Sequence, residues 1–272
     1  MCEDNKDYYF ITLSGKAGVG KDYIAGKLQD KLNNDIQDKV VYNIAYADNL
    51  RTWLDLLQRG IYMLPVPQVS TELEVRRQPN LKDLDEDNLT NLKTGDFDVL
   101  ARVLSLPVDV ITKYEKTINK QLIDFSNHND PRYRGVLQWF GTDVMRKQNQ
   151  NYWVDSLVED VMLSAKQYND SIKIITIISD ARFKNEITRL SELVPNAPVL
   201  SYRLLDSDKH IHEKMINRDS NEMTEKEKHH SSETSLDTFD GFTNTFDCSE
   251  NSTDDIINSI YKQLVSTFKE EN

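Results

Sequence analysis

Cysteine, glycine, proline and positive charge are all scarce in this 272-residue chain, and each scarcity removes a class of protein. Only Cys2 and Cys248 are present, far apart and in no CxxC spacing, so neither a disulfide scaffold nor a cysteine zinc site is available. Two free thiols are expected. Lys and Arg number 33 against 45 Asp and Glu, a formal net charge of −12, which argues against a nucleic-acid partner. A small anionic ligand needs only a few cations focused in one cleft and stays possible. No run approaches the roughly 18 apolar residues of a membrane helix, and the polar start Met1 to Asp7 lacks the apolar core of a secretory signal. The expected location is the cytoplasm, away from membranes. With 38% hydrophobic residues the chain can still bury a large core.

The few glycines are concentrated. Four of the nine, Gly15, Gly18, Gly20 and Gly26, fall within twelve residues, directly after the β-branched and aromatic run Tyr8 to Ser14. Behind them Ile24, Leu28 and Leu32, with Ala25, repeat along one face and predict a helix from about Lys21 to Asn33. This is strand, loop, helix. Within it Gly15, Lys16, Ala17, Gly18, Val19, Gly20 and Lys21 fit the phosphate-loop pattern, in which backbone amides form an anion nest and the lysine adds a full charge. The last position departs: Asp22 stands where Ser or Thr is expected. Its carboxylate can ligate Mg²⁺ directly or through water, or can merely serve the helix start.

The βαβ rhythm continues. A second strand is expected over Lys39 to Ala47, with Asp48 as N-cap of a helix from Asn49 to Arg59. A third, Ile172 to Ser179, is a near-continuous apolar run of the kind buried on both faces of a parallel sheet. A helix from Lys184 to Val194, strands at Pro198 to Leu204 and Phe242 to Asp247, and a closing helix from Thr253 to Phe268 follow. Two long intervals interrupt the alternation. Asp48 to Asp170 carries helical patterns at Val136 to Gln148 and Tyr152 to Gln167 and a polar stretch from Pro65 to Pro131 that includes the charged run Leu81 to Asn88. Asp206 to Asp240 is charged and poor in large apolar groups, and reads as a mobile flap over the site.

Four blocks carry a resemblance. Leu13-Ser14-Gly15 through Gly20-Lys21-Asp22, Leu137 through Asp143, Tyr152-Trp153-Val154 and Asp180 through Glu186 occur in the order seen in the phage deoxynucleoside monophosphate kinases. The sequence resembles that family, with related P-loop kinases such as animal-type phosphomevalonate kinase. The Gly-Lys-Asp ending is shared by the family, whereas Pro65 to Pro131 and Asp206 to Lys228 match no block. The resemblance implies an α/β P-loop NTPase fold, a five-stranded parallel sheet of order 2-3-1-4-5 flanked by helices. Residues 1–47 and 171–272 would form the nucleotide-binding core, 48–170 a helical substrate-binding insertion, and 205–240 a lid.

By the same resemblance the activity is transfer of the γ-phosphate of ATP, with Mg²⁺, to a deoxynucleoside monophosphate in the cytoplasm of a phage host. A homodimer is compatible with it. Asp180 would orient hydrated Mg²⁺ with Asp22, or would cap the helix that runs from Phe183 to Val194. Arg182 lies in a matching block, Arg134 and Arg146 flank the Leu137 to Asp143 block, and Arg51 sits in the first turn after strand two, where forked guanidinium donors would meet phosphate oxygens. Trp139 and Phe140 either stack a base or belong to the core, and Thr142 and Asp143 either bind substrate or face solvent. Arg218, with Lys209 and Lys214, is the lid candidate, while His210, His212, His229 and His230 lack metal-ligand spacing and read as loop residues. Glu233 matches a family position of unassigned role. Two alternatives remain, a kinase of another phosphorylated metabolite and a nucleotide-binding module without acceptor chemistry. A GTPase switch is disfavoured, since none of the nine glycines follows Asp in a DxxG pattern.

Overall fold

The computed structural model describes residues 6–58, 133–147, 149–207 and 224–268. The expectations placed on Pro65 to Pro131, on Lys209, His210, His212 and Lys214, and on Arg218 lie outside the described residues. The chain divides into two compact units, residues 1–47 with 156–272 and residues 48–155.

The first unit is built on five strands, β1 (Tyr8–Gly15), β2 (Lys39–Ile44), β3 (Lys173–Ile178), β4 (Val199–Leu205) and β5 (Asn244–Asp247). They form one sheet in the order β2-β3-β1-β4-β5, every neighbouring pair parallel. With helices packed against it, this is the α/β P-loop NTPase architecture. Helix α1 (Lys21–Asp35) places Ile24, Ala25, Leu28 and Leu32 on one face of the sheet, and α8 (Thr253–Ser266) adds Ile256, Ile257, Ile260 and Leu264. These meet Tyr9, Ile11, Leu13, Ile175, Ile177, Tyr202 and Leu204, the alternate residues of the central strands. Phe10, Ile174 and Ile178 point the other way and are equally buried, so the sheet is covered on both faces. Helix α5 (Lys184–Leu193), packed against β4, follows β3.

Among the buried hydroxyls of this sheet, Thr12 Oγ1 and Thr176 Oγ1 have no hydrogen-bond partner among the described residues. An unsatisfied buried hydroxyl costs about 1–3 kcal/mol. Thr176→Val keeps the shape and removes the polar atom, so the variant is expected to gain about 1 kcal/mol of stability. Urea titration checks this. An unchanged or lower midpoint would show that the hydroxyl is satisfied in solution.

The second strand ends earlier than its sequence suggests, because helix α2 (Tyr46–Gln58) starts at Tyr46. Asp48 is therefore inside the helix rather than its N-cap. The cap comes from Asp180, whose two carboxylate oxygens accept from the Tyr46 and Ala47 amides at 2.7 and 2.9 Å. In the second unit α3 (Tyr133–Gln138) runs into a π-helix over Trp139–Arg146, where one α-helix was expected. Helix α4 (Tyr152–Ala165) follows. Such widened turns are rare and concentrate at functional sites.

Candidate active site

Strand β1 ends at Gly15 because the next residues cannot continue it. Gly15, Gly18 and Gly20 have φ of 156°, 83° and 106°, backbone that L side chains rarely adopt. A Cβ on Gly15 would stand 2.6 Å from the Leu204 carbonyl oxygen and 2.9 Å from Val19. The loop thus turns tightly against β4, and Gly20 opens α1 with no side chain over the helix start. Among the described residues no acceptor takes the Ala17, Gly18 or Gly20 amides, which with the first turn of α1 form an anion-binding concavity. Such a concavity suits an anion.

Lys21 is the first residue of α1, and its side chain folds back over the loop. Its Nζ donates to the Gly15 and Lys16 carbonyls at 2.8 and 2.9 Å, and the residue is 7% exposed. Burial, reinforced by the nearby Arg182 guanidinium, pushes its ammonium down to about 7, with Glu233, Asp22 and Asp180 opposing. Lys16 is turned elsewhere. Its ammonium donates to the Glu233 carbonyl at 2.9 Å and to Asp237 at 2.8 Å.

Asp180 and Arg182 arrive on the loop after β3. The Ser179 amide donates to the Ile44 carbonyl and the Ala181 amide to the Leu13 carbonyl, both at 3.1 Å, which straps this loop to β2 and β1. Glu186 completes the turn by reaching back to the Arg182 and Phe183 amides at 2.7 and 3.1 Å. The Arg182 guanidinium donates to Glu233 and, at 3.4 Å, to the Ser232 carbonyl, both in the single turn α7 (Ser231–Thr234). Arg203, 7% exposed on β4, donates to Ser14 at 2.8 Å and to Asp237 at 2.6 Å.

The structure therefore gathers Gly15 to Asp22, Asp180 and Arg182 in the first unit, together with Glu233, Arg203, Asp237 and Glu186. Sequence reasoning named no role for these last four. Glu186 stood inside a matched block, yet Phe183 at the helix start hid its backward reach to the amides, which Ser or Thr there would have advertised. Asp180 caps α2 and not, as its alternative role had it, the helix after Phe183. Each of its oxygens accepts one of these amides, and a carboxylate oxygen has a second lone pair that can take water. Asp22 is exposed in the first turn of α1. Two such carboxylates suit a hydrated Mg²⁺, which holds its waters and takes few protein ligands. Among the described residues no group of three or more His, Cys, Asp or Glu gathers into a dedicated metal cage.

Arg51, Arg134, Trp139, Thr142, Asp143 and Arg146 belong to the second unit. Arg51 pairs with Asp48 at 3.3 Å and Asp143 with Lys147 at 3.6 Å. Phe140 is core, whereas Trp139, Thr142, Arg134 and Arg146 are half-buried and Asp143 is exposed. Gly141 lies against α2, where a Cβ would stand 2.7 Å from Leu50, and its carbonyl accepts from Trp153 Nε1 at 3.0 Å. His229 and His230 lie between α6 (Glu225–Lys228) and α7 and contact Glu225 and Ser232.

No helix among the described residues is long and apolar enough to cross a membrane. No protein-family model matches the chain, and no curated protein matches it. Among solved structures a gluconokinase from Sinorhizobium meliloti 1021 is similar over 98% of this chain and 99% of that one, with a TM-score of 0.39 and 11% identity. At that distance neither substrate nor mechanism transfers.

Proposed function

We propose that the protein is a kinase of small phosphorylated molecules, and specifically a deoxynucleoside monophosphate kinase that makes ADP and a deoxynucleoside diphosphate from ATP and a monophosphate. One observation carries the reading. A buried ammonium, Lys21, is held on a strand–glycine loop–helix cradle beside a second cation, Arg182, which is what a transferring phosphoryl group requires.

An oxygen of the acceptor phosphate attacks the γ-phosphorus of ATP, and the bond from that phosphorus to the β–γ bridging oxygen breaks, leaving ADP. No general base is needed, because the acceptor phosphate is already ionised at neutral pH. The loop amides bind the phosphates, and Lys21 exchanges its two carbonyl partners for β and γ oxygens. Arg182 neutralises charge on the group in transit. Asp22 and Asp180 are the residues that would hold hydrated Mg²⁺, which when bound neutralises phosphate charge. We assign the acceptor phosphate to Arg51, Arg134 and Arg146, the base to Trp139, and the sugar or base edges to Thr142 and Asp143. Arg218 belongs to the lid in this reading. A cytoplasmic enzyme without nucleic-acid partners, active as a monomer or homodimer, completes the proposal.

The test is ADP formation with dTMP, dGMP, dCMP, dAMP and phosphomevalonate as acceptors. Turnover on at least one deoxynucleotide is expected, on the order of 1–100 s⁻¹ as kinases commonly show. Activity with phosphomevalonate alone would replace the nucleotide reading by the metabolite one. ATP binding with no acceptor turned over would leave only a binding module.

A further inference from the structure

Glu233 is a buried carboxylate to which the transfer chemistry gives no task. Its side chain is 4% exposed and pairs with the Arg182 guanidinium. The turn that carries it is pinned from the other side as well, through the Lys16 ammonium on the Glu233 carbonyl and on Asp237, and through Arg203 on the second Asp237 oxygen. The short segment from Ser231 to Asp237 thus grips a cation from the phosphate loop, one from the loop after β3 and one from β4. Burying a carboxylate and a guanidinium is expensive, and as simple fasteners apolar side chains would serve at least as well. The pair must therefore be read against what the arginine does.

Arginine carries five N–H donors in a rigid fork. Glu233 and the Ser232 carbonyl both take Nη1, and among the described residues no acceptor takes Nη2 or Nε. The half of the fork away from Glu233 keeps its donors, and the Ala181 amide on the Leu13 carbonyl ties the loop that carries Arg182 to β1, the strand that leads into the phosphate loop, within electrostatic reach of Lys21. We propose that Glu233 is a positioning residue for phosphoryl transfer, holding Arg182 by Nη1 so that Nη2 and Nε meet the transferring phosphate. This rests on the kinase reading above. A long, rotamer-rich side chain is thereby fixed before nucleotide arrives, and preorganised charge of this kind stabilises a transition state more than a ground state.

The experiment is a double-mutant cycle of Glu233→Gln and Arg182→Ala, read as kcat and KM for ATP with the best acceptor. Glu233→Gln is expected to lower kcat about 10- to 100-fold with KM for ATP within about 3-fold. In the Arg182→Ala background the same change should alter kcat by less than about 2-fold, since nothing remains to be positioned. Should Glu233→Gln not fold, Glu233→Asp decides, because it keeps the charge on a shorter stem and should lose kcat without losing ATP. Wild-type kcat in the Glu233 variants, or losses that multiply in the double variant, overturns the inference and leaves the kinase reading standing. A wild-type protein that turns over no acceptor overturns both.

Discussion

Lys21→Met is expected to reduce kcat/KM at least about a thousandfold, the scale of losing one preorganised charge at a developing phosphate charge. The same change removes a pH dependence whose sign follows from burial. In the nucleotide-free protein the ammonium titrates near 7, against 10.5 for the ordinary group. The phosphates of ATP favour the charged form, so at pH 8 binding draws a proton from solution. Calorimetry in two buffers of different ionisation enthalpy reads that proton directly: uptake in the wild type, none in Lys21→Met. Stability carries the complementary signature. The unfolded chain binds the proton more tightly between pH 7 and 10.5, so this group destabilises the folded state fully below pH 7 and progressively less above it. Lys21→Met should melt higher than wild type near pH 6.5 without nucleotide, with the gap closing toward pH 10. Activity within tenfold of wild type, or equal proton uptake by both proteins, sinks the assignment.

Gly15→Ala should be the most damaging single methyl group in the core unit. The added Cβ meets the Leu204 carbonyl oxygen at 2.6 Å, and that oxygen belongs to a strand paired on both edges. Neither side can yield without breaking the sheet, so a loss of about 2–4 kcal/mol is expected, together with loss of ATP binding as the loop is displaced. Gly26→Ala is the matched control. It lies in α1 with nothing within 4 Å of the added methyl, and should gain about 0.5–1 kcal/mol from helix propensity. Chemical denaturation of the two variants separates them. If both shift in the same direction, the tight approach of Gly15 to β4 is not a feature of the folded protein.

The strand–loop–helix of residues 8–35 was legible because its signals are local: a β-branched run, glycines where φ turns positive, and an apolar period of four. All five strands were recognisable for the same reason, and their order, which the resemblance supplied, is the order observed. What escaped was long-range or masked. Nothing near Asp180 announces that its carboxylate caps a helix 134 residues earlier, and Asp48 looked the better cap on local grounds. The π-helix was hidden because apolar residues at Val136, Phe140 and Met145 fit a helix of either pitch. Arg203 and Asp237 each looked like ordinary strand and loop residues, and only the pairing of β4 with β1 brings Arg203 to Ser14, with Asp237 on its other nitrogen.

The parallel order has a consequence for how the chain is made. β1 is synthesised first, yet its two neighbours are β3 and β4, and β4 is complete only at Leu205. At about 5–20 residues per second, the strand that carries the phosphate loop waits roughly 10–40 seconds on the ribosome before both edges can pair. Throughout that interval the apolar run from Tyr8 to Leu13 is an unpaired edge, open to chaperones and to other nascent chains. The nucleotide cradle is therefore translated well before the strands that complete its sheet.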